Sequence, residues 1–131
     1  MKKRTLKKFL LLLVMVFLFS STVVYAKLGE YSYSYTLNQT QTVYTDLVIK
    51  QEDEDYAHIE PISLNGTFRV TVVNSYNNAK SYTDSVKPTT IWLHLHYNGK
   101  AVPGDSVKLK IHNYPADNAG RIRSIQGIWI P

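Results

Sequence analysis

A strict two-residue alternation across Ile91-Trp92-Leu93-His94-Leu95-His96-Tyr97, closed by Asn98-Gly99, constrains this chain more than any other stretch. Successive strand side chains point to opposite sides, which places Ile91, Leu93, Leu95 and Tyr97 on one face and Trp92, His94 and His96 on the other. The first set reads as a core face, each apolar side chain contributing roughly 1.5–3 kcal/mol when buried. Asn-Gly readily adopts the positive φ angles of a type I′ turn, so a hairpin returning through Ala101 and Val102 is expected.

The same period recurs along the chain. Tyr31, Tyr33, Tyr35 and Leu37 alternate with Ser32, Ser34 and Thr36. From Thr42 to Lys50, Val43, Thr45, Leu47 and Ile49 stand opposite Tyr44, Asp46, Val48 and Lys50, which predicts one continuous strand. Phe68, Val70 and Val72 oppose Arg69, Thr71 and Val73 in a β-branched run. Val107, Leu109 and Ile111 oppose Lys108, Lys110 and His112, a half-exposed strand with a basic outer face. Tyr56 to Ile59 is a short strand, Lys80 to Val86 an edge pairing, and Arg121 to Pro131 a last strand in which Gly127 marks a bulge. Neither a helical period nor a repeat interrupts this pattern. The expected fold is all-β: an antiparallel sandwich, Ig-like or jelly-roll-like, of six to eight short strands after an N-terminal signal helix.

Residues 1–26 read as that signal. Lys2, Lys3, Arg4, Lys7 and Lys8 form a basic start, Phe9 to Phe19 is wholly apolar, and Val24-Tyr25-Ala26 suits a signal peptidase. The competing reading is an uncleaved anchor, disfavoured because Ser20, Ser21 and Thr22 break the apolar run before the processing site. Cleavage after Ala26 leaves a single domain, 27–131, secreted or held at the cell envelope, which meets a membrane only if the leader stays. The formal net charge of +5 equals the charge of those five basic residues, so the domain itself is near neutral. The basic balance therefore gives no reason to expect nucleic-acid binding.

Cysteine is absent, which excludes disulfides, thiolate catalysis and cysteine-ligated zinc. There is no Gly-x-Ser-x-Gly elbow and no phosphate-cradling glycine loop, so neither a catalytic set nor a cofactor is expected. Glu52-Asp53-Glu54-Asp55 is a solvated loop in preference to a calcium site, since it lacks the glycine turn and the distal glutamate. His94 and His96 project from one strand face at the spacing of two metal ligands, with His58, His112 or an acid from Glu52 to Glu60 as conceivable third ligands. Cupins follow their His-x-His with a glutamate, whereas Tyr97, Asn98, Gly99 and Lys100 follow here. Trp92 and Trp129 each suit burial or a binding hot spot. The tyrosines at 31, 33 and 35 suit half-buried packing more readily than a sugar-stacking platform.

Thr90-Ile91-Trp92-Leu93, Lys108-Leu109-Lys110-Ile111-His112-Asn113 and Gln126-Gly127-Ile128-Trp129, together with the leader, resemble a family of small exported proteins of unknown function from Gram-positive bacteria. The resemblance implies export and a β fold and brings no catalytic residues. The expected function is non-enzymatic binding of an extracellular protein or cell-wall component through Trp92, His94 and His96. A metal site at His94 and His96 and a carbohydrate-binding surface at Tyr31, Tyr33 and Tyr35 are the alternatives.

Overall fold

The computed structural model describes residues 29–99, 101–114 and 121–131; the expected leader and its expected cleavage site lie outside them. Nine strands are described: β1 Tyr31–Leu37, β2 Thr42–Tyr44, β3 Val48–Ile49, β4 Tyr56–Leu64, β5 Phe68–Asn74, β6 Asp84–Val86, β7 Leu93–His96, β8 Ser106–Asn113 and β9 Arg123–Ile130. They form two antiparallel sheets. The first has the order β1-β9-β4-β7, and the second the order β2-β8-β5-β6 with β3 also on β8. Taking β2 and β3 as one interrupted strand, the first strand pairs with the last, the second with the last but one, and so inward to β5 and β6. That is one long hairpin rolled into two layers, the jelly-roll form of the expected sandwich.

The layers meet on the apolar halves of the alternating strands. Phe68, Val70 and Val72 of β5 and Val107, Leu109 and Ile111 of β8 close from the second sheet on Leu37, Ala57, Ile59, Leu95, Ile125 and Trp129 of the first. The tyrosine row also faces inward. Tyr33 is buried, and Tyr31 and Tyr35, half-buried, pack against the core, so these rings serve sheet packing. Trp129 is fully buried as well.

Three local expectations are corrected. Strand β7 begins only at Leu93, which leaves Ile91 in a bend and 78 % exposed instead of in the core. Asn98-Gly99 does turn, with Gly99 at φ 113°, but the chain leaves the first sheet there and re-enters the second as β8, so no hairpin forms. The β7 edge is engaged elsewhere: Ser81 bridges Tyr97, and Tyr82 N–H donates to the His96 carbonyl at 3.0 Å. The Lys80–Val86 stretch pairs as anticipated through β6 on β5.

The third correction concerns Thr42 to Lys50. After Tyr44 pairs with Lys110, Thr45 N–H donates to the Leu109 carbonyl and the Thr45 hydroxyl accepts from Leu109 N–H, both at 2.9 Å. Pairing resumes only with Val48 opposite Val107. Two residues, Asp46 and Leu47, thus span the place of Lys108 alone. One extra residue reverses the facing of all that follow. Leu47 and Ile49 consequently turn out to solvent, and Lys50 turns in.

Lys50 is fully buried, its ammonium 3.3 Å from the Pro131 carbonyl and 5.0 Å from the centroid of the Tyr97 ring. Burial pushes its pKa down, and Asp53, Glu54, Glu52 and Asp105 oppose that shift. The acidic loop is exposed, as expected, and lends its field to this buried cation.

Candidate functional site: an aromatic and imidazole face

Strands β4 and β7 form the end of the first sheet. Their register sets Tyr56 opposite His96, His58 opposite His94 and Ile59 opposite Leu93. Ala57 and Ile59 point to the core together with Leu95, so the intervening side chains share the outer face. Sequence alternation anticipated this facing for His94 and His96. It also made Tyr56 to Ile59 a strand, but strand partners cannot be read from spacing, so Tyr56 and His58 were missing from the expected contact set.

The assembled rings touch in series. Tyr56 stacks on His94 with centroids 3.9 Å apart and planes 20° apart, and it meets His96 edge-on at 5.8 Å. His94 lies 5.3 Å from His58 and 4.8 Å from Trp92, and Trp92 lies 6.3 Å from His58. Trp92 stays 56 % exposed; burial against a loop, the more ordinary fate of a tryptophan, does not occur. Beside the rings, Glu52, Glu54 and Ile130 complete a shallow cleft of about 260 Å³ with Tyr56, His58 and His94. Glu60 Oε2 lies 3.7 Å from His58 Nε2, a partly exposed contact worth little by itself.

Burial lowers the His94 pKa below the ordinary imidazole value; His58 and His96 add to the shift and Glu54 opposes it. His94 is therefore neutral at neutral pH, and its flat face is available for stacking. Of the conceivable third metal ligands, His58 arrives beside the pair, whereas His112 lies on the second sheet, opposite Thr42 and Arg69. Among the described residues no group of three or more His, Asp or Glu side chains is arranged to hold a metal ion. Tyr56 occupies one face of His94.

No protein-family model, curated protein or solved structure matches this chain.

Proposed function

We propose that this chain is an exported, non-enzymatic binding protein that engages an extracellular protein or cell-envelope component through the outer face of β4 and β7. Trp92, His94 and His96 form the centre of the contact surface, and Tyr56 and His58 extend it. The observation that carries this reading is the serial contact of five rings on one solvent-facing sheet surface. Rings already held against one another lose little side-chain freedom when a partner covers them, so burying their apolar faces yields more net affinity than ordering five separate side chains. Exposed aromatic anchors of this kind concentrate binding energy, while Glu52, Glu54 and Glu60 offer a polar rim of hydrogen-bond acceptors.

Cell-envelope extracts passed over the immobilised full chain and over its Trp92→Ala/His94→Ala/His96→Ala variant test the proposal. A species retained by the wild type and lost by the variant is expected. Direct titration of that purified species then gives an affinity at least tenfold weaker for the variant, about 1.4 kcal/mol. Equal retention of every species by both proteins sinks the site assignment.

A further inference from the structure

The outer face of the second sheet carries a different chemistry. Here β8 and β5 set His112 opposite Arg69 and Lys110 opposite Thr71, and β2 adds Thr42 opposite His112. With Thr83, just ahead of β6, these side chains line a concavity of about 310 Å³. Its inventory is one-sided: a guanidinium, an ammonium, an imidazole and three hydroxyls, with no carboxylate in the lining. Among the described residues the salt bridge found joins His58 to Glu60, and neither Arg69 nor Lys110 has such a partner. Cationic groups gathered on neighbouring strands repel one another. In a concave site they also focus a positive potential that attracts anions.

We propose that this concavity binds an oxyanion, the phosphate or sulfate group of a ligand, with Arg69 and Lys110 supplying charge and Thr42, Thr71, Thr83 and His112 supplying further hydrogen-bond donors.

The geometry prepares each part. The Arg69 guanidinium lies 4.5 Å from the Tyr114 ring centroid, a cation–π contact that restrains a long side chain before any ligand arrives. Its planar fork matches two oxygens of a tetrahedral anion, while Lys110 acts as a compact point charge. The hydroxyls of Thr71 and Thr83 are 2.7 Å apart. They share two protons and spend one on their mutual bond, so one remains for a third acceptor. Thr42 Oγ1 and His112 Nδ1 are also 2.7 Å apart. If Nδ1 accepts, Nε2 carries the ring proton; if Nδ1 donates, the Thr42 hydroxyl proton is free. Either tautomer leaves a donor.

His112 supplies an independent readout. Burial lowers its pKa, and Lys110 on its own strand and Arg69 on β5 lower it further, while Thr42 on β2 is uncharged. An anion seated between the cations offsets their repulsion of a proton, so binding raises the His112 midpoint.

Inorganic phosphate and inorganic sulfate, titrated separately into the isotope-labelled full chain at constant ionic strength set with sodium chloride, test the inference by NMR. Saturable shifts of the Thr71, Lys110 and His112 resonances are expected, with His94 on the opposite sheet unmoved and the His112 midpoint raised. Arg69→Gln and Lys110→Gln each weaken binding tenfold or more, and unchanged His94 resonances report that the variants keep the fold. Saturation by both anions supports a general oxyanion site, and saturation by one supports that anion alone. Shifts that never saturate, or saturable binding indifferent to both substitutions, overturn the proposal.

Discussion

At Gly127 the strands on either side of β9 approach its backbone more closely than a side chain permits. A Cβ there would lie 2.5 Å from the Glu60 carbonyl oxygen on β4 and 2.5 Å from the Tyr33 hydroxyl on β1. The expected bulge exists nearby, but on the partner strand: the register shifts between Pro61 and Ser63, while β9 alternates without interruption. Gly127 thus makes room for an aromatic ring laid across its strand, a use of glycine that spacing cannot distinguish from a bulge. Gly127→Ala should lower stability by about 1–3 kcal/mol, the usual cost of overpacking, read from urea unfolding. Ser124→Ala, at an exposed site on the same strand, should stay within about 0.5 kcal/mol. Equal effects of the two would remove this role for Gly127.

At the scale of elements, the paired strands β4 and β7 carry a built-in acid sensitivity. Burial holds the folded-state pKa of His94 below the ordinary imidazole value of 6.5. Between these two values the unfolded chain binds more protons than the native one. Stability therefore rises with pH through that window and is lost as pH falls below 6.5. His112 shifts in the same direction and adds to the slope. Thermal melts from pH 7.5 down to 5 should show Tm falling on acidification, less steeply in His94→Gln, and least in the His94→Gln/His112→Gln double variant. A slope unchanged by both substitutions would place its origin elsewhere. Partner binding at the ring face should weaken over the same range, because a protonated His94 must be desolvated as a charge when a partner covers it.

For the whole molecule, topology governs the route to the native state. Tyr31 pairs with Trp129 and Thr42 with His112, so central strands cannot form until distant parts of the chain meet. Such contacts incur loop-closure entropy before any packing gain, which places refolding in the range of milliseconds to seconds. Trp129, fully buried, reports it in stopped-flow fluorescence; completion within microseconds would contradict the dominance of non-local pairing. The same topology gives the molecule two outer faces of unlike chemistry, aromatic and imidazole on one sheet and cationic on the other. Substitutions on the two should be independent in binding, each proposed site retaining its ligand when the other is altered.

Period-two alternation by itself determined the all-β class, the strands at Tyr31–Leu37 and Thr67–Asn74, the latter observed from Phe68, and the inward set Leu93, Leu95, Phe68, Val70, Val107, Leu109 and Ile111. Facing within a strand is a local property, legible wherever pairing is regular. Pairing is not local, and this is why the sequence left the Ig-like and jelly-roll forms open and missed that Tyr56 and His58 lie beside His94. It also explains Lys50, whose burial follows from one extra residue against β8, and Ile91, whose exposure follows from where β7 can begin on β4. The sequence named the outward residues Trp92, His94 and His96 and the basic stripe of β8. Only the cross-strand register assembled the first into a continuous ring face and gathered the second around Arg69, because neighbours in a sheet are chosen by the packing of the whole core.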